Sequence, residues 1–542
     1  MRVTNKMIMN NASSNINTTK EFVNKRNTQM TSQKKIDRPS DDPVIAVRSL
    51  RLSTTLAQVT QYHEKNIPDA SQWISVTETA LINMRDIGND CKQIAVSGST
   101  DSKNTQDDRK TMLKQLQELQ KQLFAEGNAD YANRTVFTGY RTNCNLTFTE
   151  DELNTNYRIT QNLTIKDNME DHRYYSGNVD IPSTEEELLA PSVDPENSAI
   201  SDIAQTNYYR IRLNYDDINT IDSIKIGSII DHTFPVTDDV YDDSQGVQVI
   251  HTVGSEQSTY VFYAFANESD WASSELQNVK GTATEQGVDT IKGLKCVGEN
   301  SIVFIKETGD LIMGNKIAST LKNEDATINI TYDRNGFKEG ELRPEYYYNC
   351  VKTADPLDVH VPVTYTKYNE AGERIHFDIE YTIAASQTVA INTEAADVFD
   401  SSIYRDVTEM IDACQRAISA FDKVKTLEDM ASESQYASDE DQEWIKIWKD
   451  AAQKEFDFYN DNMQKLFNTE IGKIDAYYGK MNLAIADLGC KKDSLDLTKT
   501  RVGDQQQTVQ SLQSLNDDID LSKIIIDYTA AYTAYQASLT SA

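Results

Sequence analysis

At the carboxy end of the chain Leu521, Ile525, Tyr528, Tyr532, Tyr535 and Leu539 recur at steps of 4, 3, 4, 3 and 4. That spacing is the narrow seam of a coiled coil rather than the broader stripe of a helix lying on a globular core. Asp520 occupies an N-cap position with the hydroxyl of Ser522 just inside it, and no Gly or Pro interrupts the run. Alone in water such a helix is marginal, because nucleation is costly. Each buried Leu, Ile or Tyr returns about 1.5–3 kcal/mol, but only against a partner surface. The pattern therefore predicts a helix that requires a second helix.

A weaker seam opens the chain. Met9, Ala12, Ile16, Thr19, Val23 and Met30 keep the same steps if Arg26 snorkels at the intervening position. Pro39 is expected to break this helix, and Asp42 followed by Pro43 is an N-cap with proline at the first helical position. Ile45, Leu52, Leu56 and Val59 continue in a second helix. After Pro68, Ala70, Trp73, Thr77, Met84, Ile87, Cys91 and Ile94 share one face of a third, which Gly98 ends, and Met112, Leu116, Leu119 and Leu123 mark a fourth. Strand-like chemistry begins at Ala132 to Gly139.

From about Cys144 to Asn392 the period changes to 2. Tyr209, Ile211, Leu213 and Tyr215 alternate, as do Val359, Val361, Val363 and Tyr365, and Ile375, Phe377, Ile379, Tyr381 and Ile383. The last two runs flank Asn369 to Glu373, which reads as a hairpin loop, and Asp333 to Gly336 reads as a further turn. Half-buried antiparallel strands with one wet face are implied. Helical periodicity returns with Val407, Met410, Cys414, Ile418 and Phe421. Ser438 and Asp441 form a capping-box pattern ahead of Trp444 and Trp448, within an added helical stretch at about 425–468. A regular seam then runs from Ile474 through Tyr478, Met481, Ile485, Leu488, Leu495, Val502, Val509 and Leu512 to Ile519.

The expected fold class is α+β and multidomain, with terminal helices in a coiled-coil or helical bundle and a large β-rich inserted middle. Residues 1–35 and 505–542 are expected to form a terminal coiled-coil layer, 36–140 and 403–504 a helical bundle, and 141–402 one or two β-rich outer domains with a boundary near 266–290. Nothing else in the chain is left to cover the seams at 9–30 and 521–539 except each other and neighbouring subunits.

Composition narrows the function. The 542 residues exceed what one core supports. Residues 1–140 hold 19 Lys/Arg against 15 Asp/Glu, a balance of +4, so the other 402 residues carry −36 of the net −32. No basic stripe is available for nucleic acid. No run approaches the length of a membrane span, and the opening MRVTNKMIMNNASSNINTTK lacks the apolar core of a secretory signal peptide. Export, if it occurs, is expected to use another route. Cys91, Cys144, Cys296, Cys350, Cys414 and Cys490 form no CxxC pair, and free thiols are expected.

Several motifs carry a resemblance. The opening MRVTNKM, the turn RPSDDPV at Arg38 to Val44, the helix WISVTETAL at Trp73 to Leu81, and the exit at Arg134 to Gly139 resemble the amino-terminal region of the flagellin superfamily. The stretches DLGCKKDSLDLTKTRVGDQQQ and DLSKIIIDYTAAYTAYQASL are similar to its carboxy-terminal region. Flagellins proper usually carry a small-residue version of the turn, whereas Pro39 and Pro43 favour the members that join hook to filament. The resemblance implies an annular homo-oligomer contacting hook-associated protein 1 on one side and flagellin on the other. It also implies an export chaperone, type III export and a place on the flagellum outside the cell. The implied assembly interface comprises Met9, Ala12, Ile16, Val23, Met30, Leu521, Ile525, Tyr528, Tyr532, Tyr535 and Leu539. A divergent filament subunit, or an adhesin carried on the middle region, are the alternatives.

Catalytic patterns do not emerge. The six histidines have neither i,i+4 spacing nor cysteine partners, so no zinc site is expected. Gly309 to Gly314 lacks the Lys-Ser/Thr ending of a phosphate loop and reads as a β-turn. Asp238, Asp239, Asp242 and Asp243 lack the alternation of a calcium loop and read as a solvated acidic loop. No catalytic residue, cofactor or metal is assigned, and no enzyme activity is expected.

Overall fold

The computed structural model describes residues 5–100, 105–176, 179–189, 204–227, 230–234, 247–253, 256–274, 295–324, 326–356, 360–398 and 400–541. The acidic run at 238–243 and Val359 lie outside them. In chain order, helices α1 (Asn5–Ser32) and α2 (Pro43–Gln61) are followed by a π-helical turn (Tyr62–Asn66), α3 (Ile67–Gly98) and α4 (Gln106–Gly127). Strands β1 (Asp130–Tyr131), β2 (Arg134–Thr135) and β3 (Glu152–Thr164) precede α5 (Ile165–Asn168), β4 (Met169–Ser176) and α6 (Glu185–Leu189). Then come β5 (Ala204–Arg212), β6 (Ile218–Ile226), β7 (Ile230–Thr233), β8 (Val247–Val253), β9 (Glu256–Phe265), α7 (Glu268–Ser273), β10 (Ser301–Ile305), β11 (Asp310–Met313) and α8 (Asn315–Glu324). The chain continues through β12 (Thr327–Phe337), β13 (Asn349–Ala354), β14 (Val363–Tyr365), β15 (Glu380–Ala384), β16 (Gln387–Ala390), α9 (Ala395–Val398), α10 (Ile403–Ser432), α11 (Asp439–Asp517) and α12 (Leu521–Ser541).

Two compact units result: Met1–Ser75 with Ile379–Ile391 and Leu488–Ala542, and Val76–Asp378 with Asn392–Asp487. In the first, α1 and α12 form an antiparallel pair. Thr19 Oγ1 meets Ser538 Oγ at 3.1 Å, and Arg26 lies 3.8 Å from Asp527. The pair is closed where Lys35 N donates to the Asp517 carbonyl at 2.7 Å and Ile519 N to that of Gln33 at 3.0 Å. Gln33, with φ of 56°, ends α1 well before Pro39. Asp42 caps α2 as its sequence implies, accepting from Val44 N and Ile45 N. Helix α2 runs antiparallel to the end of α11, with Gln506 Nε2 donating to Thr60 at 3.0 Å and Gln513 Nε2 to Ser53 at 2.8 Å. The β15–β16 hairpin is tied down by Asn66 Nδ2, which donates to the Thr382 carbonyl at 2.7 Å, and by Arg501, which donates to Gln387 at 2.6 Å.

The second unit holds two six-stranded sheets, ordered β4-β5-β11-β10-β9-β8 and β14-β13-β3-β12-β6-β7. Their strands interleave along the chain, and β9 pairs with β10 in parallel. Most of the stretch near 266–290, where a boundary is expected, lies outside the described residues. Strands β3 and β12 alternate in burial as the period of 2 requires, whereas β10 and β11 are buried on both faces. Asp333 to Gly336 is a correction: β12 runs through it with a bulge, and Gly336 at φ of 79° absorbs the extra residue. Asn369 to Glu373 is a tight loop closed by the Tyr368–Arg374 bridge, but β14 pairs with β13 and β15 with β16. The run at 375–383 enters a strand only at Glu380, and Phe377 is exposed, so its alternation marks mostly an extended segment.

Helix α11 is 79 residues long, about 120 Å at 1.5 Å per residue. Phe467, Ile474, Met481, Leu488, Leu495, Val502 and Val509 are all buried at intervals of seven. Such a repeat commits a helix to supercoiled partners. Near its middle the partner is α3, where Lys92 pairs with Asp475 and a Cβ at Gly98 would stand 2.3 Å from the Phe467 ring. Ser438 Oγ accepts from Asp441 N at 3.1 Å, so α11 starts at the expected cap. Trp448 then fills a core with Leu427, Met430, Ile445, Val179 and Leu188, which gives the stretch at 425–468 a structural role under the middle region.

Candidate assembly surface

Helix α12 uses its residues on two faces. Ile524 is fully buried, and Tyr528, Ala531, Tyr535 and Ser538 are half-buried at steps of 4, 3, 4 and 3. They pack with α1, where Ala12, Ile16, Thr19, Val23, Arg26 and Met30 are half-buried. The other face stays open: Leu521, Ile525, Tyr532 and Leu539 are 49%, 48%, 44% and 49% exposed. Asp520 caps the helix, accepting from Ser522 N at 2.8 Å and Lys523 N at 3.2 Å.

Of the eleven expected interface residues, Ala12, Ile16, Val23, Met30, Tyr528 and Tyr535 thus meet within the α1/α12 pair. Met9, Leu521, Ile525, Tyr532 and Leu539 are left open to solvent. The single seam read from spacing is two seams. The triplet Ile524-Ile525-Ile526 carries the signal, because three consecutive apolar residues on a helix point about 100° apart and serve more than one face. Sequence spacing also missed Met7, Ile8 and Phe22 on α1 and Val44, Val47 and Leu50 on α2, all exposed.

Polar groups near this surface are engaged by their neighbours. Lys34 and Ser514 donate to Asp518 and hold its carboxyl below the ordinary range. The backbone N–H groups of Arg38 and Asp37 do the same for Asp41 in the turn ahead of α2.

Elsewhere, His376, Glu394 and Asp397 bring donor atoms within 4.8 Å of one another. Glu394 already accepts from Arg374 at 2.7 Å and Lys367 at 3.2 Å, and Arg374 also binds Asp397. A guanidinium and an ammonium fill the place a metal would need. Gly309 and Gly314 bracket β11, with Gly309 at φ of 66° in the turn after β10, which is the β reading of that stretch. Among the described residues no helix is long and apolar enough to cross a membrane.

Residues 3–142 match the bacterial flagellin N-terminal helical region. More narrowly, the chain is 30% identical over 144 residues to flagellar hook-associated protein 3 of Salmonella typhimurium strain LT2, a match covering 26% of this chain and 44% of that protein. The chain thus matches less than half the length of this curated relative. Among solved structures, a chain from Vibrio parahaemolyticus assigned to the flagellar hook-associated proteins is 10% identical, with a TM-score of 0.34 and coverage of 88% of this chain and 99% of that one. Flagellar hook-associated protein 3 of Legionella pneumophila is 11% identical, with a TM-score of 0.28 and coverage of 86% and 98%. The resemblance read from the amino-terminal motifs agrees with the match over residues 3–142.

Proposed function

We propose that this chain is a structural subunit of the bacterial flagellum that forms the layer between hook and filament, assembled by axial packing of its terminal helices. The observation that carries the reading is the open face of α12, Leu521, Ile525, Tyr532 and Leu539, on a helix whose other face is already satisfied by α1. These side chains are already half covered, so about half of the roughly 1.5–3 kcal/mol of full burial remains for each against a neighbouring copy or neighbouring flagellar protein. The flagellin-type amino-terminal helices and the relative of hook-associated type support the same reading. In it, residues 1–35 and 505–542 are the polymerising layer, the subunits form a ring, and the ring contacts hook-associated protein 1 and flagellin. The acidic β-rich middle faces solvent, an export chaperone covers the terminal helices before assembly, and the protein acts outside the cell without enzyme activity.

Removal of residues 521–542 is expected to leave the β-rich region folded and the monomer soluble, while labelled protein disappears from the hook tip. Normal filament growth in cells carrying only that truncation overturns the reading. A filament subunit is favoured instead if the purified full-length chain forms long filaments by itself in electron micrographs.

A further inference from the structure

Inside the second unit, the first of the two sheets meets α10 and α11 through a buried ionic cluster that the sequence did not announce. Strand β5 contributes Arg210 and Arg212, two residues apart and both turned toward the helices. Arg210 donates to Glu409 of α10 at 2.8 and 3.0 Å and to Glu170 of β4 at 2.9 Å, while Arg212 pairs with Glu409 and Asp406. From α11, Lys473 lies 3.2 Å from Asp406 and also pairs with Glu170, and the Tyr477 hydroxyl donates to Asp406. Asp310 of β11 is 3.6 Å from Arg210.

Glu470 is the member with least provision. It is fully buried, and neither carboxyl oxygen accepts a hydrogen bond, although Lys473 Nζ stands 2.9 Å from Oε1. Facing it are Asp406 and Glu409 from α10, Arg212 from β5, and Lys473 from its own helix. Further out are Glu170 and His172 from β4 and Asp310 from β11. Five carboxylates, Glu170, Asp310, Asp406, Glu409 and Glu470, thus share three permanent cations, Arg210, Arg212 and Lys473. Nearby Arg405 is engaged by Asp216 at 2.7 Å. His172, 3.7 Å from Glu409, adds no charge at neutral pH, since burial pushes it down to about 3. An uncompensated buried carboxylate is costly, and taking up a proton is the ordinary relief.

We propose that this cluster is a proton-dependent clamp between the sheet and helices α10 and α11, in which the carboxyl of Glu470 carries the proton. The remaining ionised groups then balance more nearly. Glu409 stays ionised because Arg210 and Arg212 outweigh its burial, and Glu170 is held down to about 2 against its burial by Arg210 and Lys473. Burial first, and Asp406 second, push Glu470 up to about 8. The folded chain therefore holds a proton that an unfolded Glu470 releases above its ordinary value of 4.5. The group's contribution to stability is complete below that value and is lost as pH rises to about 8. Above it the proton leaves to solvent, a second negative charge faces Asp406, and the clamp loosens.

The test uses full-length protein and Glu470→Gln, which keeps the shape and removes the titration. Between pH 6 and pH 9 the unfolding temperature of the parent is expected to fall by about 3 °C beyond any fall in the variant. The infrared carbonyl band of a protonated carboxylic acid, followed in parent and variant, is expected in the parent at pH 7 with a component that bleaches as the pH passes about 8. The variant lacks that component. Parallel pH profiles for parent and variant, or no acid carbonyl band at pH 7 that titrates in this range, overturn the proposal.

Discussion

The terminal helix pair and the β-rich unit are held together by opposite means. The pair α1/α12 has one fully buried side chain in α12, Ile524, and half-buried neighbours along a thin seam. The β-rich unit has strands β10 and β11 buried on both faces, tryptophans 271 and 448 enclosed, and ionised groups sealed at the meeting of sheet and helices. The β-rich unit encloses a core of its own, whereas the terminal pair buries little and leaves an apolar face of α12 open. The lesson is that stability and assembly are separated in sequence: substitutions in the core of the β-rich unit are expected to change folding, and those on the open face of the terminal pair to change association.

That contrast breaks most visibly at Trp448. Replacing it with alanine removes a side chain that is 1% exposed and packed against Leu188 and Val179, at a cost of about 3–5 kcal/mol. Thermal unfolding of the full chain is the readout, with a clear drop in the transition of the β-rich unit. A variant as stable as the parent would mean that this core does not carry the unit. A smaller effect is expected at Ile524→Ala. The seam there is thin and can collapse, so the loss lies near the low end for such changes, about 2 kcal/mol. Hydrogen exchange should rise in α1 and α12 and stay unchanged in the two sheets. Faster exchange in the sheets would erase the distinction between the regions.

Much of this organisation was readable from residue spacing. The Asp42-Pro43 cap, the end of α3 at Gly98, the Ser438–Asp441 cap and the stripe from Val407 to Ile418 are local, and local rules found them. The turn signal at Asp333 to Gly336 failed because a glycine with positive φ serves a bulge as well as a turn, and strand pairing on both sides of β12 decided between them. The alternation at 375–383 failed because period 2 describes any extended chain, paired or not. The ionic cluster was not read from the sequence: Arg210 and Arg212 lie on one face of a strand, and Glu470, Lys473 and Tyr477 on one helix, but charged residues at such spacings are ordinarily solvated. Their meeting with Asp406 and Glu409 depends on tertiary packing that no spacing encodes. The single seam expected on α12 divides in two, because Ile524, Tyr528, Ala531 and Tyr535 lie on the face that packs with α1 while Leu521, Ile525, Tyr532 and Leu539 do not.

The central claim is that the outer face of α12 serves assembly and not the fold of the monomer. It is tested most directly by full-length protein carrying Leu521→Gln, Ile525→Gln, Tyr532→Gln and Leu539→Gln together, since glutamine keeps helix propensity while removing the apolar face. Exposed substitutions of this kind each change monomer stability by roughly 0.5 kcal/mol or less. The purified variant is therefore expected to unfold close to the parent, while immunogold labelling of cells that make only the variant finds no protein at the hook tip. Normal incorporation of a well-folded variant would contradict the account.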